Sequence, residues 1–321
     1  MTAATFSFVG VTTGQSSMVG IFPRWMARLG HPEIVLEGID LSLHAPPAAY
    51  RAVVERIRSN PASIGGLVTT HKIDLLEACR DLFDRLDSFA LELGEVSAIA
   101  KGPAGLTGYA TDPLAAGSSL DALLGDSHFG ETGGEVLLLG AGGAAAAIVL
   151  HLIRHRAADP PSRVTVVNRS QPRLDRLRAI VERQATDLVF DFRCTEDPRA
   201  NDLLLERLPP GTLVVNATGM GKDRPGSPLT DAARFPVEAV AWELNYRGEL
   251  AFLRQARSQP PDRGVRVEDG WGYFVRGWSE VVARVLDVDI TPDVLDDLAT
   301  LAGDRGAIRP ALDGTRESRH P

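Results

Sequence analysis

A lysine and an aspartate in this sequence stand where they can exchange protons with a bound molecule. Lys72 follows an apolar run at residues 64–70, and Asp112 follows another at residues 105–109; both runs are typical of β-strands. Side chains just beyond the carboxyl ends of strands in α/β domains face the ligand crevice, so the pair is placed for general acid–base chemistry. The structural alternatives are a lysine that only begins a surface helix and an aspartate that only caps one.

A glycine-rich turn near the middle of the chain indicates a dinucleotide-binding site. An apolar run at residues 136–139 leads into the turn, and an alanine-rich helical run follows it. The glycines of such a strand–turn–helix let the backbone approach a pyrophosphate, and the helix N-terminus attracts the anion. An ordinary tight connection is the alternative. The candidate cofactor-binding residues of the turn are Gly140, Ala141, Gly142, Gly143 and Ala144.

The end of the next predicted strand, residues 163–167, favours NADP(H) over NAD(H). NAD-binding domains usually have Asp or Glu here to hold the ribose 2′-hydroxyl, whereas this chain has Asn168, Arg169 and Ser170, followed by Arg173. A guanidinium can bind a 2′-phosphate through two hydrogen bonds, and the missing acid removes charge repulsion. A solvated arginine at a strand end is the alternative reading.

The composition excludes several classes of protein. With 321 residues, of which 44% are hydrophobic and 24% charged, the chain is expected to form a globular protein of two domains. A net charge of −8 without a dense basic patch argues against nucleic acid, and no apolar run approaches the roughly 18 residues that cross a membrane. The N-terminus does not resemble a signal peptide, so we expect a cytoplasmic location.

Cys79 and Cys194 lack metal-ligand spacing; both are expected to be buried, and no metal site is predicted.

Strands and helices alternate along the chain, which predicts an α/β fold in two domains. We expect residues 1–112 to form an N-terminal α/β domain and residues 113–268 a Rossmann-type domain. Residues 269–303 should form helices, and residues 304–321 a disordered tail rich in Arg, Pro, Gly and Asp. In the N-terminal domain a helix is predicted with Pro23 near its first turn.

Up to residue 303 the chain resembles the shikimate dehydrogenase family. The resemblance implies an N-terminal substrate domain, an NADP-binding Rossmann domain and last helices that return to the first domain. The glycine turn and the Asn-Arg-Ser sequence are similar to the cofactor motifs of that family. Two further matches imply cofactor contacts near the nicotinamide and before the last long helix, at Thr218, Gly219, Met220 and Gly270.

The same resemblance assigns roles to the lysine and the aspartate. Lys72 is similar to the last residue of the family's Asn-Val-Thr-x-Pro-x-Lys, and Asp112 to the last residue of its Gly-x-Asn-Thr-Asp. It implies that Lys72 exchanges a proton with the reacting hydroxyl or ketone and that Asp112 is its partner. His71, an isolated histidine beside a turn, is expected to be structural.

The substrate pocket departs from the family's pattern. The family's Ser-x-Ser becomes Ser16-Ser17-Met18, and positions where the family has Asn or Gln hold Gly66, Ser97, Ala110 and Gly277. The sequence Glu243-Leu244-Asn245-Tyr246 replaces Asp-x-x-Tyr and keeps the tyrosine. Each lost amide would leave a substrate hydroxyl without a partner, at roughly 1–3 kcal/mol each. The implied substrate-binding positions are therefore Ser16, Met18, Gly66, Ser97, Ala110, Tyr246 and Gly277.

These inferences predict an NADP(H)-dependent alcohol dehydrogenase or ketoreductase of shikimate dehydrogenase type. Its substrate should be a small polyhydroxylated six-membered ring, with a cyclitol or pseudo-sugar ketone favoured by the pocket changes. A true shikimate or quinate dehydrogenase is one alternative, and a non-catalytic NADP(H)-binding sensor or scaffold is another. A folate-linked dehydrogenase is disfavoured by the Asn-Arg-Ser and Thr-Asp contexts. We expect a monomer or homodimer with no nucleic-acid or membrane partner.

Overall fold

The computed structural model describes residues 3–222 and 224–303, and it confirms the α/β class. Within these residues the strands are β1 (Thr5–Gly10), β2 (Val35–Asp40), β3 (Ser63–Val68), β4 (Arg85–Leu86), β5 (Ala98–Gly102), β6 (Gly105–Tyr109), β7 (Val136–Leu139), β8 (Val164–Asn168), β9 (Phe190–Cys194), β10 (Leu213–Asn216), β11 (Val240–Glu243) and β12 (Arg266–Glu268). The α-helices are α1 (Met18–Arg28), α2 (Pro47–Ser59), α3 (Lys72–Cys79), α4 (Ser88–Leu93), α5 (Asp112–Leu124), α6 (His128–Thr132), α7 (Gly143–His155), α8 (Gln171–Glu182), α9 (Pro198–Leu205), α10 (Ala251–Arg257), α11 (Trp271–Leu286) and α12 (Pro292–Ala302).

The chain folds into two compact units. The first contains the chain up to Leu86, Val96–Tyr109 and the chain from Val281 onward; the second contains Asp87–Glu95 and Ala110–Glu280. These units differ from the predicted domain boundaries in three places. The segment with α4 belongs to the second unit, and so do residues 110–112 at the start of α5. The start of α11 also belongs to the second unit, because the division falls inside that helix. The predicted tail, residues 304–321, lies outside the described residues.

The first unit contains a six-stranded sheet in the order β2-β1-β3-β5-β6-β4. Strands β1, β2 and β3 are parallel, whereas β5 and β6 form an antiparallel hairpin. Helix α2 packs through the apolar stripe that its sequence predicts, with Tyr50, Val54 and Ile57 almost fully buried. Helix α12 returns to this unit: the indole Nε1 of Trp25 in α1 donates a hydrogen bond of 2.9 Å to the carbonyl of Leu298.

Gly66 lies where β1 and β3 approach each other too closely for any side chain. It pairs with Ser7 on one side and Ile99 on the other. A Cβ atom at Gly66 would lie 2.0 Å from the carbonyl oxygen of Ser7, a backbone atom that cannot move without shifting the strand. A polar side chain at this position is therefore excluded by the sheet itself.

Replacing Gly66 by alanine is expected to reduce the free energy of unfolding by about 2–3 kcal/mol, because the added methyl overpacks a central strand. Urea denaturation measures the loss. Gly20→Ala in α1 is the matched control, since a Cβ there would meet nothing within 4 Å. That helix substitution should instead stabilise by about 0.5–1 kcal/mol. Equal effects of the two substitutions would contradict the close approach of β1 and β3.

The second unit contains a parallel sheet in the order β12-β11-β10-β7-β8-β9. This is the strand order of a Rossmann domain, in which chain order reverses between β7 and β10 and leaves a crevice at their carboxyl ends. Helix α7 follows β7 and is buried along nearly its whole length from Ala145 to Ile153. The glycine turn between β7 and α7 therefore lies at the switch point of the sheet.

Two local predictions, on Pro23 and Cys194, were wrong. Pro23 lies inside α1, not in its first turn, because Met18, Ile21 and Phe22 before it are fully buried and hold the first helical turns. The alternative in which Asp112 caps a helix is not realised, since Asp112 is the first residue of α5 and Thr111 occupies the cap position. Cys194 is exposed at the end of the edge strand β9, whereas Cys79 is buried as expected, and burial raises the pKa of its thiol to about 11.

The described residues lack two kinds of feature. None of their helices combines the length and the apolar character that a membrane crossing requires. Their His, Cys, Asp and Glu side chains form no cluster of three or more that could hold a metal ion.

Candidate active site

The glycine turn has the geometry of an anion-binding loop. Gly140 has a φ of +122°, and a Cβ there would lie 2.5 Å from the carbonyl oxygen of Ala217, so only glycine is accommodated. Gly142 caps α7, and a Cβ at Gly142 would meet nothing within 4 Å. The first N–H groups of a helix have no helical partner. At the first residue of α7 the carboxylate of Glu95 is a close neighbour, since a Cβ at Gly143 would lie 2.7 Å from Oε2 of Glu95. This cradle fits a pyrophosphate at the N-terminus of α7.

The end of β8 offers hydrogen-bond donors to a second anion. Arg169 and Arg173 are exposed, and within the described part of the chain neither forms an ion pair. The buried Nδ2 of Asn168 has no hydrogen-bond partner among those same residues, while its Oδ1 accepts a bond of 3.0 Å from the backbone N–H of Arg169. Ser170 caps α8. Two guanidinium groups and a spare amide donor fit a 2′-phosphate.

The segment after β10 is folded by its own side chains. Oδ1 of Asn216 accepts hydrogen bonds from the backbone N–H and the hydroxyl of Thr218, at 3.2 and 2.6 Å. The Thr218 hydroxyl oxygen in turn accepts from the N–H of Met220 at 3.1 Å. Gly219, with φ of +74°, supplies the left-handed residue that this turn requires. The segment also touches the glycine turn, because Ala217 N–H donates to the carbonyl of Leu139 at 2.7 Å.

A buried carboxylate joins that segment to the end of β11. Glu243 is fully buried; its Oε2 accepts a hydrogen bond of 2.7 Å from Nδ2 of Asn216, and its Oε1 accepts from the N–H and Nδ2 of Asn245, at 2.9 and 2.6 Å. Burial raises the pKa of Glu243 to about 7, the three hydrogen bonds oppose the shift, and nearby Asp269 adds to it. The sequence analysis noted only that Glu243 replaces an Asp of the family, and it missed the role of this residue as a buried link. The signal for that role was an acid at the end of an otherwise apolar strand.

The raised pKa of Glu243 predicts a pH-dependent stability difference. Because the folded-state pKa is about 7 against the ordinary 4.5, the contribution of Glu243 is fully present below pH 4.5 and is lost as the pH rises through 7. Relative to Glu243→Gln, the wild type should therefore lose roughly 2–3 kcal/mol of unfolding free energy between pH 4.5 and pH 8. Urea denaturation across this range measures the difference. Glu206→Gln, at an exposed position, is the control; a parallel response of all three proteins would contradict the prediction.

Gly270 and an aromatic cluster complete this end of the second unit. A Cβ at Gly270 would lie 2.2 Å from the carbonyl oxygen of Leu244, and its N–H donates to Asn245 O at 3.1 Å. The ring of Tyr246 packs on Phe274 with centroids 4.2 Å apart and on Trp271 at 5.6 Å. The loops after β11 and before α11 are thus held together.

A cavity of about 370 Å³ lies beside α11 in the second unit. Trp242 and Tyr273 meet edge to face in its wall, with ring centroids 6.0 Å apart. Burial raises the pKa of the Tyr273 phenol well above its usual value, and the carboxylates of Asp112 and Glu95 add to the shift. Charged residues also line this cavity: Arg266, Glu268, Asp269 and Arg276.

The two proposed catalytic residues each begin a helix. Lys72, in the first unit, is the first residue of α3. Two residues before it, Thr70 has a φ of +62°, which is unusual for a residue other than glycine. His71 is buried, and its Nδ1 lies 3.2 Å from the hydroxyl of Tyr50, which supports the structural role expected for it. Asp112, in the second unit, begins α5. Their pairing stays a prediction from the sequence.

The positions assigned to the substrate differ in how much room they leave. The hydroxyl of Ser97 is buried and donates to Tyr109 O at 3.3 Å, and the hydroxyl of Ser16 accepts from the N–H of Met18 at 3.3 Å. Met18 and Ala110 are fully buried. In contrast, a Cβ at Gly277 would meet nothing within 4 Å. Gly277 thus differs from Gly66 in having open space for a side chain.

The fold and this site define a class of two-unit α/β protein with a dinucleotide-binding crevice. No family model matches the chain. The shikimate dehydrogenase (NADP+) of Methylobacterium radiotolerans is 30% identical over 305 residues, which cover 92% of this chain and 96% of that protein. The shikimate dehydrogenase (NADP+) of Aromatoleum aromaticum is 30% identical over 274 residues, covering 85% and 87%. The chain belongs to the shikimate dehydrogenase family.

Solved structures show the same fold at lower identity. Shikimate 5-dehydrogenase from Thermus thermophilus, solved with NADP(H) and shikimate, gives a TM-score of 0.66 at 24% identity and covers 93% of this chain and 99% of its own. Quinate dehydrogenase from Corynebacterium glutamicum, solved with NAD, gives a TM-score of 0.69 at 19% identity and covers 93% of this chain and 98% of its own. The 5-ketofructose reductase of a Gluconobacter strain gives a TM-score of 0.68 at 20% identity and likewise covers 93% of this chain and 98% of its own.

Proposed function

We propose that this protein is an NADP(H)-dependent oxidoreductase that interconverts a ketone and a secondary alcohol on a polyhydroxylated six-membered ring. Family membership supports the reaction type. The observation that supports NADP(H) as the cofactor is the segment that ends β8 and begins α8, where Asn168 has an Nδ2 without a partner, Arg169 and Arg173 are exposed, and residues 168–173 include no acid. When bound, the nicotinamide supplies or accepts the hydride. The glycine turn and the N-terminus of α7 would hold the pyrophosphate.

In this proposal the chain's own contribution to the chemistry is proton transfer. Lys72 donates a proton to the ketone oxygen during reduction and accepts it from the hydroxyl in the reverse direction, through its Nζ. Asp112 orients the ammonium group and stabilises its charge. The backbone conformation at Thr70 fixes the start of α3 and hence the position of Lys72.

The residues at the substrate positions assigned from the sequence support a substrate other than shikimate. Gly66 and Ala110 provide no polar side chain, and the Ser97 hydroxyl already donates to a backbone carbonyl. A ring with several hydroxyls and a carboxylate would lose hydrogen bonds at these positions. A cyclitol or pseudo-sugar ketone without a carboxylate is therefore the substrate class we favour. A relative in fold is named for reduction of 5-ketofructose, a sugar ketone, so ketose substrates belong in the same test.

A substrate panel with NADPH tests the altered specificity. It should contain 3-dehydroshikimate, quinate, cyclitol ketones, pseudo-sugar ketones and 5-ketofructose, each followed by the absorbance of NADPH or by its formation from NADP+. We expect turnover of at least one neutral polyol ketone at a kcat/KM well above that for 3-dehydroshikimate. Efficient turnover of 3-dehydroshikimate would overturn the altered-substrate part of the proposal.

Gly277→Gln supplies a matched probe of one position assigned to the substrate from the sequence. Since a side chain at Gly277 meets open space, glutamine can place an amide there. We expect kcat/KM for 3-dehydroshikimate to rise about tenfold, the value of one hydrogen bond. Gly277→Leu adds similar bulk without an amide and should give no gain. If both variants behave alike, position 277 does not contact the substrate.

A non-catalytic NADP(H)-binding protein is the second candidate, favoured by the missing amides at Gly66 and Ala110. Calorimetry that detects NADPH binding, together with no turnover across the whole panel, would support this second function. Turnover abolished by replacement of Lys72 would exclude it.

A further inference from the structure

Glu243 links the ends of two neighbouring strands through hydrogen bonds of fixed direction. As a carboxylate it only accepts, and its two oxygens take donors from Asn216 at the end of β10 and from Asn245 just after β11. Nδ2 of Asn245 also donates to the carbonyl of Met220 at 3.0 Å. One buried group therefore connects both loops that follow these strands.

The amide of Asn216 cannot reverse its orientation in this network. Its Oδ1 already accepts two bonds from Thr218, so its Nδ2 must face Glu243. Thr218 in turn fixes Met220. Fixed donor and acceptor roles thus run from Glu243 to the turn at residues 216–220. A buried group that donates where it should accept, or the reverse, would break the hydrogen bonds along this series and destabilise the turn.

The order of the strands determines what this turn faces. The donors for a 2′-phosphate lie at the end of β8, and the pyrophosphate cradle lies at the end of β7. The next strand in the sheet is β10, followed by β11. A dinucleotide that extends across the crevice in this direction therefore places its remaining half, the nicotinamide, over the loops that Glu243 joins.

We propose that Glu243 is a positioning residue, which holds the turn at residues 216–220 against the nicotinamide half of the cofactor. The inference rests on the proposed NADP(H)-binding function of the second unit. Because Glu243 is fully buried, it acts through Asn216 and Asn245 and does not itself touch the cofactor.

Binding of two ligands to Glu243→Gln tests the proposal. Glutamine keeps the size of the side chain but presents an NH2 group to Nδ2 of Asn216, so two donors face each other. NADPH should bind about tenfold more weakly, the value of one such hydrogen bond. Adenosine 2′,5′-bisphosphate, which lacks the nicotinamide, should bind within twofold of wild type. Calorimetry gives both Kd values, and thermal denaturation confirms that the variant is folded.

Exchanging the two partners provides a rescue. In the double variant Asn216→Asp with Glu243→Gln, the glutamine NH2 donates to the new carboxylate, which can still accept both bonds from Thr218. The NADPH Kd should recover about threefold from its value in Glu243→Gln, because donor and acceptor roles match again between positions 216 and 243. Recovery is incomplete because Asn216→Asp also removes the bond of 3.3 Å that Nδ2 of Asn216 donates to the carbonyl of Met220. Asp202→Asn in α9 is the control for a general loss of a buried acceptor in the same unit, since Asp202 accepts two bonds from Thr230.

The outcomes separate the possible failures. Wild-type protein that does not bind NADPH would overturn the proposed function and this inference with it. Wild type that binds, with Glu243→Gln unchanged or equally weakened for both ligands, would overturn the positioning role alone. So would a double variant no better than Glu243→Gln, or an Asp202→Asn variant with the same selective loss of NADPH.

Discussion

Replacing Lys72 by alanine is expected to lower kcat by about 10²–10⁴, the usual contribution of a general acid–base group. The Kd for NADPH should change less than threefold, because the cofactor candidates all lie in the second unit and Lys72 lies in the first. The loss would fall on proton transfer to the ketone oxygen. Steady-state kinetics with the best ketone from the panel, alongside calorimetry with NADPH, separates the two effects.

The chain itself offers a matched control for this experiment. Three lysines stand among the 34 basic residues, and Lys101 is also in the first unit. Its Nζ donates to the carbonyl of Asn60 at 2.6 Å, a structural contact at the end of β5. Lys101→Ala should keep kcat within about twofold, as a surface substitution away from the site. Partial recovery of the Lys72→Ala variant by added methylamine would identify the missing proton donor, whereas unchanged kcat would exclude Lys72 from catalysis.

The double variant Arg169→Ala with Arg173→Ala is expected to reduce the preference for NADPH over NADH by about 10²–10⁴, since each of two charged hydrogen bonds contributes roughly 1.5–3 kcal/mol. Both guanidinium groups are exposed and lack ion pairs among the described residues, so their removal leaves no buried charge. The KM for NADH should stay within about threefold, because NADH has no 2′-phosphate to lose. The ratio of kcat/KM for the two cofactors is the measurement.

Arg178 supplies the control for that double variant. Arg178 lies in α8, the helix that also contains Arg173. Unlike Arg173, it pairs with Asp175 at 3.4 Å and covers the ring of Phe192. Arg178→Ala removes a guanidinium from the same helix and should not alter cofactor preference. If the double variant and Arg178→Ala shift the ratio together, the effect is a general change in surface charge and not recognition of a 2′-phosphate.

Much of the fold was predictable because the relevant signals are local. The apolar stripe of α2, the hairpin of β5 and β6 and the turn after β7 each follow from residue types within one element. The same holds for the arginine at the end of β8. In these places periodicity and turn chemistry agree with the tertiary structure, so reading the sequence along the chain was sufficient.

The errors occurred where tertiary contacts decide the outcome. Pro23 usually begins a helix, yet the burial of Ile21 and Phe22 extends α1 before it. Cys194 was expected in the core, but β9 is an edge strand, which no property of the cysteine reveals. Burial of Glu243 likewise depends on which strands become neighbours. These features require knowledge of strand order, which a single sequence specifies weakly.

The close packing at Gly66 also limits how this protein can be engineered. Asparagine at position 66 would place its Cβ 2.0 Å from the carbonyl oxygen of Ser7, so it can be introduced only together with a second change that separates β1 and β3. The single substitution should reduce the free energy of unfolding before it can alter specificity. The effects of the two changes are therefore expected to be strongly non-additive.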